Sequence, residues 1–325
     1  MNAGAISVTT GPPAGTGLAP PGKAGDRAFR LLTWLMAMMV PALLGLVGWT
    51  LCKGSALSLQ KFGWNFFLHS NWDPVNGDFG ALWFIGCTFV SSLLGLLIAL
   101  PLSLATAVYL TELAPGWVRQ PAMSMIEMLA VIPSVVFGLW GIFVMVSWLQ
   151  EGPYPLLVRY LGYLPFFRGP ATGFCVLSGA VVIAIMILPI ITSISREVLR
   201  AVPNSQREAA YALGATRWEV TRLAVLRYSR RGIFGAALLG LGRALGETMA
   251  VMMVVGNSDK ISASLLAPGN TLASKIGNEY GETFQGINLS ALFELGLMLL
   301  LVTVVTNILA RLWIGAVGAR QHSGI

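Results

Sequence analysis

The chain has 325 residues, 55% of them hydrophobic and 11% charged, with a mean hydropathy of +0.73 and a formal net charge of +7. Soluble domains carry roughly twice that share of charge, so water is excluded as the main solvent. The three cysteines (Cys52, Cys87, Cys175) and two histidines (His69, His322) are scattered. They give no metal-ligand, redox or nucleophile–base grouping, so the sequence offers no catalytic residues, metal site or cofactor.

Residues 1–30 form an N-terminal tail. Its first 26 positions are rich in Gly, Ala, Pro and Thr, a composition that predicts disorder. Six apolar runs follow, at about 31–52, 80–110, 121–149, 171–195, 232–255 and 289–311. Each is long enough for a hydrocarbon core that takes roughly 20 helical residues. The first is too long for the apolar core of a signal peptide. Pro41, Pro101, Pro133 and Pro189 fall inside these runs, and in a membrane such prolines predict kinks rather than ends. Two connecting segments are aromatic: residues 62–78, with Trp64, Phe66, Phe67 and Trp72, and residues 153–167. They fit an interfacial aromatic belt or a docking surface for an external protein. The expected fold is an all-α integral membrane protein with six transmembrane helices, occupying residues 31–325.

Lys and Arg set the orientation. Fourteen of the 21 lie in segments 1–30, 111–120, 196–231 and from 311 onward, whereas six lie in the intervening connections. Positive segments are retained in the cytoplasm, so both termini are expected inside. The positive net charge reflects this asymmetry rather than nucleic-acid binding.

The longest basic connection contains Glu208, Ala209, Ala210, Gly214, Thr216, Arg217, Trp218 and Glu219. Ser205 with Glu208, and Thr216 with Glu219, each have capping-box spacing. Gly214 between them suits the left-handed residue that ends a helix. The pattern predicts two short helices in a bent elbow over about 203–227. Tethered at both ends to membrane spans, such an elbow cannot lie along a DNA groove. The segment resembles the cytoplasmic coupling loop of ABC-transporter permeases in Glu208, Ala209, Ala210 and Gly214. It departs from that pattern at residues 224–227, where Ala-Val-Leu-Arg has no proline.

Charges within the runs are few: Glu127, Arg243, Glu247 and Glu294. Each costs about 2.5–3.5 kcal/mol near mid-bilayer on insertion scales. Arg243 and Glu247 are spaced for one helix face. Arg243 lies about 18 Å along the axis from Arg231. The pair reads either as an ion pair holding helices together or as part of a solute site. Glu127 is a path residue or an interhelical hydrogen-bond partner. Glu294 reads as a snorkelling or locally paired carboxylate.

The run GLGRALGETMAV over residues 240–251 resembles the fifth-span signature of the PstC-type permease subunit of phosphate-specific ABC transporters. IPSVVFG at 132–138, FGAL at 79–82 and ILPI at 187–190 are similar to further motifs of that family. The resemblance implies a type I ABC importer permease fold and assigns Arg243 and Glu247 to the translocation path, with Glu127 placed beside them as a candidate path residue. It assigns Glu208, Ala209, Ala210 and Gly214 to ATPase coupling. It also implies a homodimeric ATPase, a second related permease subunit, an external phosphate-binding protein, inorganic phosphate and the surrounding lipid as partners. A permease for another oxyanion or small solute is the alternative. The sequence contains no Gly-x-x-x-x-Gly-Lys-Ser/Thr phosphate loop, so ATP hydrolysis is expected in a separate subunit.

Overall fold

The computed structural model describes residues 23–169, 172–283 and 286–319, so the disorder expected of residues 1–22 lies outside the described residues. The chain divides into two compact units, Met1–Thr50 and Leu51–Ile325. The described part of the first belongs to helix α1 (Lys23–Gly54). Residues 23–26, expected in the disordered tail, are therefore helical, with Asp26 in a first turn where the helix dipole favours an acid. Leu31, Trp34, Met38, Val40 and Leu44 are exposed along α1, a surface suited to lipid or other apolar protein rather than water.

The second unit begins with α2 (Ala56–Phe62), α3 (Asn65–Leu68) and a two-stranded hairpin, β1 (Trp72–Asp73) and β2 (Asp78–Phe79), in which Trp72 pairs with Phe79. The Asp73 carboxylate accepts the backbone N–H groups of Val75 and Asn76 and the Asn76 side chain at 2.6 Å. These donors, the Asn76 side chain foremost, hold the Asp73 carboxyl below its usual range.

Next come α4 (Leu82–Val108), a wide π turn at Tyr109–Leu113, α5 (Gly116–Val131) and α6 (Ser134–Trp140). A second π turn at Gly141–Met145 leads to α7 (Val146–Glu151) and α8 (Pro153–Leu161). The chain continues through α9 (Val176–Arg200), α10 (Asn204–Ala212), α11 (Arg217–Glu219), a π segment at Val220–Leu226, α12 (Arg227–Leu245) and α13 (Met249–Val254). It ends with α14 (Leu272–Glu279) and α15 (Ile287–Ala319).

Among the described residues five helical stretches are long and apolar enough to cross a membrane: Gly25–Gly54, Leu82–Leu113, Ser134–Glu151, Val176–Arg200 and Ile287–Leu312. The remaining expected span, 232–255, is divided between α12 and α13. Pro41, Pro101 and Pro189 lie within continuous helices. At Pro133 the expected kink is a full break, because Ile132 and Pro133 adopt ψ of 128° and 140°. A residue before proline is pushed away from helical geometry by the ring.

Helix α9 is the centre of the unit. Ile183, Ala184, Ile187 and Ile191 pack with Ala99 of α4, Ala236 and Ala244 of α12 and Val251 of α13. Glycine permits this approach: a Cβ on Gly95 would sit 2.7 Å from Ile183, and one on Gly240 2.7 Å from Ile191. Ser103 Oγ donates to the Leu188 carbonyl at 3.1 Å, adding an α4–α9 hydrogen bond where small residues bring helices together.

A separate aromatic core caps the start of α4. Trp72 meets Phe79 and Phe84 edge-on at 4.7 and 5.5 Å, and Phe66, Leu272, Leu292 and Leu295 complete the cluster. Phe66 and Trp72 are thus buried core residues rather than members of an interfacial belt; Trp64, Tyr160 and Tyr163 are exposed. Glu294 is fully buried in α15, and neither carboxylate oxygen has a hydrogen-bond partner among the described residues. The snorkelling reading fails because the residue is 0% exposed, so its short stem does not carry the carboxylate to the surface.

Beside the aromatic core, Lys275 joins three segments. Its Nζ lies 2.5 Å from Asp259 and 2.6 Å from Glu279, and 5.1 Å from the Trp72 ring centre. Trp72 Nε1 donates to Glu279 at 2.9 Å and Asn270 to Asp259 at 3.2 Å. The Lys275 side chain is 4% exposed. Removing it leaves two half-sheltered carboxylates without their shared cation, which costs about 3 kcal/mol when a buried pair is broken. Lys275→Met is expected to lower the unfolding midpoint of the detergent-solubilised protein by several degrees, and the exposed Lys260→Met to leave it within error.

Candidate functional site

The elbow is built by backbone hydrogen bonding at Gly214. The Ala215 N–H donates to the Ala210 carbonyl at 3.2 Å and the Gly214 N–H to Tyr211 at 2.9 Å, the paired bonds of a Schellman ending. Gly214 has φ +82°, and a Cβ there would meet nothing within 4 Å. The glycine is required by backbone conformation, not by crowding.

The two expected caps have different outcomes. Thr216 and Glu219 form the full capping box: the Thr216 N–H and hydroxyl both donate to Glu219 Oε2 at 2.8 Å, and Thr216 Oγ1 accepts the Glu219 N–H. The backbone donor first, then the hydroxyl, holds the Glu219 carboxyl below its usual range. Ser205 caps nothing. Helix α10 begins at Asn204 behind Pro203, so Ser205 already lies inside the helix, and Glu208 is exposed.

The second elbow helix is not short. From Arg217 it runs without a break through the π segment into α12 and on to Leu245. With no proline at 224–227, no amide is lost there and the ladder continues. The elbow is therefore the end of a rod roughly 40 Å long. Leu213, Trp218 and Leu223 are exposed, Leu213 at 89%. A shallow cavity of about 520 Å³ lies against Ala209, Ala210, Gly214, Glu219 and Leu223.

The other end of the rod is a break. Helix α12 stops at Leu245, Gly246 leaves helical geometry with φ −93° and ψ 2°, and α13 resumes at Met249. Arg243 occupies the last turn of α12 and is exposed. Glu247 lies in the break, half-buried, where its Oε1 accepts the Ala250 N–H at 3.2 Å. No ion pair joins Arg243 and Glu247 among the described residues. The helical spacing that predicts their pairing is interrupted by Gly246, and the carboxylate serves as a cap for α13 instead. Glu127 is exposed on α5 beside Ser124, Met128 and Val131. No described hydrogen bond or ion pair connects it to Arg243 or Glu247.

Two residues that sequence reasoning missed tie the elbow to the spans. Arg207 of α10 lies 3.0 Å from Glu112, in the π turn after α4, and donates to the Leu199 and Val202 carbonyls at the end of α9. The available signal was an acid at the end of an apolar run in the same basic layer as the elbow.

A family model described as "Binding-protein-dependent transport system inner membrane component" matches residues 94–322. The "Phosphate transport system permease protein PstC" of Haemophilus influenzae is 44% identical over 293 residues, 89% of this chain and 93% of that protein. The protein of the same name from Mesorhizobium japonicum is 42% identical over 299 residues, covering 91% of each. Among solved structures, a bacterial alginate ABC transporter in complex with a pentasaccharide-bound periplasmic protein has a chain matching at a TM-score of 0.58. It is 14% identical and covers 88% of this chain and 93% of that one. The MetNI methionine ABC transporter matches at 0.51 and 20% identity, covering 73% of this chain and 94% of that one.

Gly214→Val imposes about 1–2 kcal/mol of left-handed backbone strain. Amide hydrogen exchange over residues 210–216 is expected to rise several-fold while membrane abundance is retained. Gly214→Asn, which tolerates the left-handed region, is expected to stay close to the parent.

Proposed function

The chain belongs to the family of binding-protein-dependent transport system inner-membrane components, and from that premise we propose that it is a phosphate-translocating subunit of an ATP-driven importer. It is a multi-pass permease of the inner membrane with a type I ABC importer fold. The likeness to phosphate permeases over about nine-tenths of the chain supports phosphate as the solute. The domain organisation that accompanies this reading is a permease domain at 31–325, preceded by a tail whose last residues, from Lys23, already belong to α1, with both ends in the cytoplasm.

The observation that carries the reading is Arg243 beside the break between α12 and α13. Irregular backbone at membrane depth is tolerated where it is buried in protein or lines a watery cavity, and transporters place solute sites at broken helices. Phosphate brings tetrahedral oxygens and one or two negative charges. A guanidinium offers permanently charged, planar donors for two of those oxygens. An Arg243 that is not neutralised by Glu247 is available to such an anion, and the Glu247 cap keeps the break open at a defined place. A transient contact suits a conduit, since a tightly held solute is not released. Glu127 is assigned to the same path as a polar wall residue.

At the other end, Glu208, Ala209, Ala210 and Gly214 form the face offered to the ATPase. The proposed assembly contains an ATPase homodimer on this elbow, a second related permease and an external phosphate-binding protein. Closure of the ATPases displaces the elbow, and the continuous rod carries the displacement to the break.

The test is ATP-dependent uptake of labelled phosphate by vesicles containing the complete complex, with sulfate as competitor. Arg243→Gln is expected to reduce uptake at least a hundredfold at parental abundance, because removing an exposed, unpaired arginine strands no buried charge. Glu247→Gln, which keeps an oxygen acceptor for Ala250, is expected to reduce it less. Undiminished uptake by Arg243→Gln would remove the arginine from the path, and sulfate uptake in place of phosphate would change the solute.

A further inference from the structure

The structure contains a second route out of the elbow, separate from the α11–α12 rod. Arg207 sits in α10 and its fork of donors reaches four acceptors. Nη1 donates to the Val202 carbonyl at 2.6 Å and to Asn204 Oδ1 at 3.3 Å. Nη2 donates to the Leu199 carbonyl at 3.0 Å and to Glu112 Oε1 at 3.0 Å. Leu199 and Val202 stand at the end of α9, where helix carbonyls lack partners of their own. Glu112 belongs to the π turn that ends α4. One side chain thus joins the elbow to the ends of the two helices that pack most extensively in the unit.

The surroundings make this a mechanical joint. The Arg207 and Glu112 side chains are 18% and 15% exposed, so the ion pair is largely sheltered and less screened by salt than a surface pair. Directly beside it, Ala107 of α4, Leu199 and Val202 pack with Val225 of the π segment. That apolar contact joins α4, the end of α9 and the π segment and includes no residue of α10, so a displacement of α10 bears on α4 and the end of α9 through the Arg207 bonds. A lysine has one point charge and cannot hold both carbonyls and the carboxylate in fixed directions.

We propose that Arg207 is a positioning residue for transport, and that its bond to Glu112 makes α4 follow the elbow together with α9. Without that bond the π turn that ends α4 has no directional tie to the elbow, so ATP-driven motion of the elbow reaches that end of α4 incompletely and less phosphate is moved per ATP hydrolysed. The inference rests on the reading of residues 203–227 as the ATPase-docking elbow.

Glu112→Ala is the informative variant. It removes the link to α4 but leaves Arg207 with the Leu199 and Val202 carbonyls. In the reconstituted complex, phosphate uptake and ATP hydrolysis are measured together, alongside abundance. Glu112→Ala is expected to lower phosphate moved per ATP about tenfold, with hydrolysis within about twofold of parental and the complex intact. Glu112→Gln, which retains an oxygen acceptor, is expected to fall between Glu112→Ala and the parent. Arg207→Lys is expected to behave like Glu112→Ala. Parental phosphate per ATP in Glu112→Ala would overturn the inference. So would an equal fall of uptake, hydrolysis and abundance, which marks Arg207 and Glu112 as plain structural support. If the unaltered complex hydrolyses ATP without taking up phosphate, or if the ATPase does not assemble with this chain, the elbow reading itself fails.

Discussion

Hydrocarbon offers no partner to a backbone N–H or carbonyl, and that constraint organises the protein. Every segment at membrane depth must close its own hydrogen-bond ladder or spend an interruption where other groups can serve it. The chain interrupts its spans at Ile132–Pro133 and again at Gly246–Thr248. The two interruptions are related in space. Helices α6 and α13, each beginning just after a break, pack on one another, with a Cβ on Gly138 placed only 2.5 Å from Met253 Sδ and 3.1 Å from Ala250 Cα. The Glu247 side chain takes up the Ala250 N–H that the second break frees. The helices that follow the two breaks are thereby packed together, while α9, the most enclosed span, remains continuous.

The two ends of the unit use polar groups differently. At the elbow end the polar bonds are directional and connect elements: Gly214 fixes the bend, Thr216 and Glu219 start the rod, and Arg207 holds four backbone or side-chain acceptors at once. At the aromatic end Lys275, Asp259 and Glu279 form a sheltered cluster around Trp72, which fixes α14 and the segment before it against the start of α4. Between these ends the contacts are almost entirely apolar or between small residues. Apolar contact resists separation without specifying register. Directional bonds at each end are therefore suited to carrying a displacement along helices that themselves stay rigid.

Much of this was legible in the sequence, for physical reasons that attach to particular residues. Long uncharged runs can be read because lipid demands them, so the spans beginning near Leu31, Leu82, Val176 and Ile287 were placed to within several residues. Gly214 and the Thr216–Glu219 box were readable because local backbone geometry decides them. The motif at residues 240–251 and the elbow residues carried the family. Tertiary structure decided what depends on neighbours distant in sequence. Ser205 was the wrong cap because Pro203 sets where α10 begins. Phe66 and Trp72 left the expected belt because α14 and α15 bring Leu272 and Leu292 over them. Spacing alone paired Arg243 with Glu247, but that spacing presumes an unbroken helix, and Gly246 ends it. Glu112 and Arg207 stand 95 positions apart, and a contact at that separation exists only once α4 and α9 have packed side by side.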